Sequence, residues 1–405
     1  MEASRQAILD MYARAQERIS RFHVRTFEGQ PGPILLISTA YPGVWLEHAY
    51  DAICFARMEP DKALARDVAL GQLRLFLRNQ LPNGRLPFNV MDMSIMRERG
   101  YGDLGAVNYR QIQECVAFGR LCVEAHDLTG DDEFLREAYR GCAAWDAWLC
   151  AHRMTRSTGL IELFCLYDTG HDNSARLADV PVSCPDLEGA VPADCAAVPM
   201  LAPDMNAVFY GDRRALAEMA RRLGLADEAR RWDEAAERVR AAMLELLYDP
   251  EDMFFYDLDS QGRLRRFPSI AISNVFCERV LERDLFDAIY ERHMRNPAEF
   301  WSEYPFPSMA LNSPAIAGHA PRNCWGYYSQ ALTALRCTRW MDYYGRGADF
   351  EHLLERWVQA LASQPERPFA QELDPRTGRL TDCSEWYSSA MLLYMYAVRR
   401  LGYIG

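Results

Sequence analysis

The chain has 405 residues, 49% hydrophobic and 25% charged, with 45 basic against 57 acidic side chains and a net charge of −12. That length suits roughly two or three average domains or one large barrel with a sizeable core. The acidic balance speaks against nucleic acid and anionic membrane as partners and leaves small molecules open.

In chain order, helical periodicity dominates. Ile8, Tyr12, Ala15, Ile19 and Phe22 share one face, as do Leu135, Tyr139, Cys142, Trp145 and Leu149. Ala229, Trp232, Ala236, Val239, Met243 and Leu246 repeat the pattern, and so do Phe350, Leu353, Leu354, Trp357 and Leu361. Thr129-Gly130-Asp131-Asp132 reads as one helix end followed by a carboxylate-rich helix start. Helices are expected near 2–22, 43–58, 62–79, 107–128, 131–153, 204–223, 226–248, 270–294, 325–345, 349–363 and 384–402. Strand signals are confined to 160–164 and 253–257. The Pro-rich stretches 178–203 and 296–322 read as long ordered loops, which in compact domains usually carry function.

Arg5, Asp10, Arg14, Glu17 and Arg18 leave no room for a signal-peptide apolar region, and no run reaches the ~18 apolar residues of a membrane span. The twelve cysteines form no Cys-x-x-Cys. Cys54, Cys115, Cys122, Cys142, Cys277 and Cys337 lie in apolar helical runs and read as small hydrophobes in a reducing cytoplasm. No metal or other cofactor is expected. Paired helices without linker or repeat point to an all-α chain, an (α/α)6 toroid forming a single domain over 1–405, with long loops at one end.

Two segments concentrate chemistry. Tyr167-Asp168-Thr169-Gly170-His171-Asp172-Asn173-Ser174-Ala175-Arg176 packs carboxylates, an imidazole, an amide and a guanidinium into ten residues. Gln371-Glu372-Leu373-Asp374-Pro375-Arg376-Thr377-Gly378 places another carboxylate in a turn. Carboxylates on separate loops, joined only by folding, are what glycosidic hydrolysis requires. Helix capping by Asp172-Asn173-Ser174 and a plain turn at 374–378 are the simpler readings.

These segments, with Tyr41-Pro42-Gly43-Val44-Trp45-Leu46-Glu47-His48-Ala49-Tyr50, Gln80 to Pro87, Ala202-Pro203-Asp204-Met205-Asn206 and Trp386-Tyr387-Ser388-Ser389, occur in the order seen in a known group. The chain resembles the (α/α)6 glycoside hydrolases that include mannosylglycerate hydrolase, the family 63 α-glucosidases and trehalase. It departs from their usual pattern at Glu47 and His48 (usually Asp), at Ala175 (usually Pro), in the box Asn323-Cys324-Trp325-Gly326-Tyr327-Tyr328, and by about a residue in the spacing from Glu372 to Gly378.

The resemblance implies inverting hydrolysis of a small α-linked glycoside, with Asp172 as general acid and Glu372 as general base, about 6.5–9.5 Å apart. Candidate sugar contacts are Trp45, Glu47, His48, Gln113, Tyr167, Asp168, His171, Asn173, Arg176, Asp204, Asn206, Glu303, Tyr304, Trp325, Gln330, Trp386 and Tyr387. The expected partner is a small carbohydrate, with the protein a monomer or homodimer. Two other functions fit the same toroid. One is a sugar 2-epimerase drawing on His48, His171, His293 or His319, and the other is a noncatalytic carbohydrate-binding protein.

Overall fold

The computed structural model describes residues 3–38, 40–98, 105–185, 189–318 and 322–404. Its helices are α1 (Arg5–Arg18), α2 (Ala49–Met58), α3 (Lys62–Arg78), α4 (Met93–Glu98), α5 (Phe118–Thr129), α6 (Asp132–His152) and α7 (Pro203–Arg222). They continue with α8 (Ala226–Leu246), α9 (Ile272–Cys277), α10 (Arg283–Ile289), α11 (Ala331–Arg336), α12 (Gly347–Ser363) and α13 (Ser388–Arg400).

Helices α2, α5, α7, α9, α11 and α13 pack in that order, and α13 returns to α2, so an inner ring closes. The turn Cys337–Arg339, which continues α11, makes the join to α9. Helices α1, α3, α6, α8 and α12 lie outside the inner ones, and α10 reaches α9 through Phe286 against Phe276, ring centroids 5.0 Å apart. The result is an all-α toroid of six helix pairs.

Composition follows position. Every residue of α2 from Ala49 to Ala56 is buried, whereas α8 buries only Ala229, Ala235, Ala236, Val239 and Met243 along one stripe. A continuous apolar cluster runs from Ile8 to Val398. Because inner and outer helices alternate, the inner helices all run the same way and their N-terminal ends meet at one face.

The helix start expected at residue 131 is present: Asp131 Oδ1 accepts from Phe134 N at 2.9 Å, and Gly130 supplies the left-handed turn at φ +63°. This hydrogen bond, with Arg74 and Arg66 nearby, holds the Asp131 carboxyl below its ordinary range. Asp131→Ala is expected to cost about 1 kcal/mol in denaturant unfolding at pH 7. Since the folded-state pKa is depressed, the cap's contribution is full above the unfolded value and fades as pH falls through the acid range. A variant equally destabilised at pH 7 and at pH 2 would contradict the cap.

Several expected helices are shorter than their apolar patterning suggests, most of them at the inner-ring N-terminal face. Residues 107–117 are not helical: Val107–Asn108 pairs with Asn89–Met91, which itself pairs with Gly43–Trp45. Residues 325–330 form a turn and the strand Ser329–Gln330, paired with Glu372–Leu373, so that helix begins only at Ala331. The span 43–58 opens as a strand and a single tight turn before α2, and 270–294 breaks after Cys277, where Arg279 adopts φ +56°. In the first three cases long-range pairing outweighs local helix propensity, and after Cys277 the chain turns from the inner helix α9 to the outer helix α10. The strands expected at 160–164 and 253–257 appear as Glu162–Leu163 and Phe254–Phe255.

Candidate active site

The segments just before α2, α5, α7, α11 and α13 enclose a cavity of about 290 Å³. Its wall carries Trp45, Glu47, His48, Gln113, Tyr167, Asp172, Trp325 and Tyr387, eight of the side chains singled out from the sequence. Tyr41, Phe88, Asn89, Gln111, Asn323 and Gln371, with the backbone of Gly170, complete it. Tyr41, Asn323 and Gln371 stand in the quoted segments without having been singled out, and Phe88, Asn89 and Gln111 lie outside them. Asn89 arrives only because its strand pairs in register with Trp45. The alternation through Phe88-Asn89-Val90-Met91 was the signal available for it.

Asp172 is half-buried. Its Oδ2 accepts from Asn323 Nδ2 at 2.8 Å, and its backbone oxygen accepts from Trp325 N at 2.9 Å. Burial pushes its carboxyl up to about 6, against the pull of the Asn323 hydrogen bond. A carboxyl that keeps its proton this long is suited to donate it.

Glu47 faces the same cavity. Gln113 Nε2 donates to its Oε1 at 3.3 Å, and Arg336 Nη2 lies 3.5 Å from its Oε2. Burial raises its carboxyl to about 7, with Arg336 opposing and Asp172 adding to the rise. The Asp172 loop presses directly on it: a Cβ on Gly170, which sits at φ +68°, would lie 3.1 Å from Glu47 Oε2.

Glu372 is placed differently from the expectation that it faces the substrate. It is fully buried behind the wall. Its Oε1 accepts from Asn323 N at 2.7 Å and Thr381 Oγ1 at 3.0 Å, and its Oε2 from Gln330 Nε2 at 2.8 Å and Cys324 N at 3.1 Å. Successive residues of an extended segment point to opposite sides, so Gln371, not Glu372, turns its side chain to the cavity. Gln330 thereby serves as a partner of Glu372 rather than as a wall residue.

Other expected contacts also lie behind the wall. Arg176 Nη1 donates to Asp257 Oδ1 at 2.7 Å, its Nη2 pairs with Asp204, and His171 Nδ1 is 3.1 Å from that same Nη2. His171 stacks on Trp325 with ring centroids 4.6 Å apart and so backs the cavity. Asp168 is fully buried, 2.5 Å from Arg153 Nη1, and accepts from Ile112 N and Phe164 N. Cys165 and Cys184 lie close to that carboxylate, which is already committed to those donors. Asn206 clamps Ile161 through Oδ1 and Nδ2.

Asn173 is exposed and donates to Asn323 O at 2.7 Å. Glu303 is exposed and pairs with Arg356 at 2.8 Å. Tyr304 packs on Gly378, and Trp386 lies under Arg14 and Arg18, away from the cavity. His48 Nε2 is 2.5 Å from Tyr387 Oη, and burial holds both His48 and His171 well below the ordinary histidine range, so both are neutral. His293 belongs to a separate contact with Glu299, and His319 lies outside the described residues. Gln113, Asn173 and Asn323 all adopt positive φ, 49°, 55° and 47°, the kind of backbone strain that clusters at functional sites.

A closed ring of helix pairs with a carboxylate-bearing, aromatic cavity at its loop end defines a class of carbohydrate-active toroids. Residues 47–389 match the mannosylglycerate hydrolase MGH1-like glycoside hydrolase domain, and the chain belongs to that family and is a glycoside hydrolase. The chain is similar in fold to the GH63 mannosylglycerate hydrolase of Thermus thermophilus. The structure of that protein with Tris and D-glycerate is 18% identical, covers 96% of this chain and 99% of its own, and has a TM-score of 0.71. The structure with glucose is 19% identical, covers 95% and 99%, and has a TM-score of 0.72. Neutral trehalase of Saccharomyces cerevisiae is 13% identical, covers 92% and 74%, and has a TM-score of 0.63. No curated protein matches the chain. Among the described residues, no helix is long and apolar enough to cross a membrane.

Proposed function

We infer that this chain hydrolyses a small α-linked glycoside with inversion, Asp172 giving its proton to the leaving oxygen. The observation that carries this is the Asp172 carboxyl, raised to about 6 by burial and oriented by Asn323 at the wall of the cavity. Trp45, Tyr41, Tyr167, Trp325 and Tyr387 offer flat faces to the C–H side of a pyranose, while Asn89, Gln111, Gln113 and Gln371 offer amides to its hydroxyls. At about 290 Å³ the cavity is at the small end for ligand sites, which suits one sugar ring.

A neighbouring cavity of about 620 Å³ shares the walls Trp45, Phe88, Asn89, Gln111 and Tyr167 and leaves room for the leaving group. Glucose and D-glycerate bound to the Thermus relative support a hexose and a small hydroxy acid as the two halves of the substrate. In this reading residues 1–405 form one catalytic unit, a monomer or homodimer that needs no cofactor, and the free thiols suit a reducing cytoplasm.

The test is a panel of α-linked disaccharides and α-glycosyl glycerates, with Asp172→Asn as the blank. Proton NMR on the best substrate should show the β-anomer of the released sugar first, before mutarotation. First release of the α-anomer would rule out inversion, and a panel with no turnover would rule out the substrate class.

A further inference from the structure

Inversion needs a second carboxylate to take a proton from the attacking water, and it must touch that water. Glu372 does not meet this condition. It is fully buried, its two oxygens are engaged by four donors, and it stands behind Gln371, whose amide cannot take up a proton at neutral pH. Among the described residues, the acidic side chains lining the cavity are Asp172 and Glu47.

Resting on the hydrolase reading above, we propose that Glu47 is the general base that activates water, and that Glu372 is a positioning residue which fixes Asn323 and so Asp172. Glu47 enters from the turn leading into α2, while Asp172 enters from the loop before α7, so the sugar can lie between two independent segments. Its hydrogen bonds are few and long, 3.3 Å from Gln113 and 3.5 Å from Arg336, which leaves lone pairs for a water. Arg336 also donates to the Glu47 backbone oxygen at 3.1 Å, fixing that turn independently of the carboxylate. Water oxygen bonds to the anomeric carbon as the C–O bond to the leaving group breaks. Glu47 takes the water proton, Asp172 protonates the leaving oxygen, and exchange with solvent restores both.

The test uses the full chain and its Glu47→Gln, Glu47→Asp and Glu372→Gln variants, with α-mannosyl and α-glucosyl fluoride as probes, whose leaving group needs little acid help. Glu47→Gln is expected to lower kcat by ~10²–10⁴-fold, the usual worth of a positioned base. Added azide should restore turnover and give the β-glycosyl azide. Glu47→Asp, which keeps the charge one methylene short, should retain part of kcat without azide, and it serves if the Gln variant fails to fold. For Glu372→Gln the expected signature is a lowered Tm with no azide product.

The proposal is overturned if Glu47→Gln raises KM with kcat unchanged, or if the β-azide forms with Glu372→Gln instead. It is also overturned if wild type hydrolyses the fluorides while Glu47→Gln loses turnover that azide does not restore. A wild type inert to both fluorides and to the α-glycoside panel would sink the hydrolase reading itself, and this assignment with it.

Discussion

Asp172→Asn is expected to lower kcat by ~10²–10⁴-fold on substrates whose leaving group needs a proton. The loss should shrink sharply on glycosyl fluorides, because an amide cannot protonate the leaving oxygen but the rest of the cavity is unchanged. Its fold should be unharmed, since Asn323 Nδ2 can still donate to an amide oxygen at that position. The sign of the stability effect follows from the raised carboxyl. A buried acid with a folded-state value near 6 favours the fold while protonated, and wild type gives up that stability as pH rises from the unfolded value through about 6. The variant, with nothing to ionise, should therefore have a Tm at pH 8 at least equal to that of wild type. A Tm clearly below wild type at pH 8, or full activity on an α-glycosyl glycerate, would contradict the role given to this residue.

Arg176→Met is expected to destabilise the protein by about 3–5 kcal/mol, because it strands buried carboxylates rather than removing a surface pair. Arg176, Asp204 and Asp257 are each almost completely buried, and the one guanidinium bridges α7 to the strand at Asp257. Burial already lifts Asp257 to about 6 even with Arg176 opposing it. Without the cation its carboxyl should rise further, so the variant should be least unstable in acid and worsen as pH increases. His171, beside Arg176 and stacked on Trp325, ties this network to the cavity. Activity at low temperature should therefore fall as well, with KM affected more than kcat. Urea unfolding at pH 5 and pH 8 checks both the size and the slope, and a loss below about 1 kcal/mol would mean that the network is not what holds this face together.

The order of the long helices, and the inward face of most, were legible in the sequence, because burial against one core imposes a 3.6-residue period that a single segment displays by itself, although the span 270–294, expected as one helix, is two. The run from Ala229 to Leu246 announces α8 in this way, and Thr129-Gly130-Asp131 announces the break before α6. The stretch around Asp172 was legible because its unusual mix of side chains is local. What was not legible is where each inner helix stops being a helix. Residues 107–117 and 325–330 carry helix-compatible patterns, yet their backbones pair with strands near residues 90 and 372, and no window of either segment contains its partner. The same pairing decided which side chain of Gln371-Glu372 meets the cavity. Antiparallel register sets Gln330 against Glu372, and with a side-chain period of two a slip of one residue would exchange the amide for the carboxylate. Composition and local spacing determined the helical toroid and the cluster of polar side chains around Asp172. Which side chain of Gln371-Glu372 meets the cavity that Asp172 lines was decided by the tertiary register of segments remote in sequence.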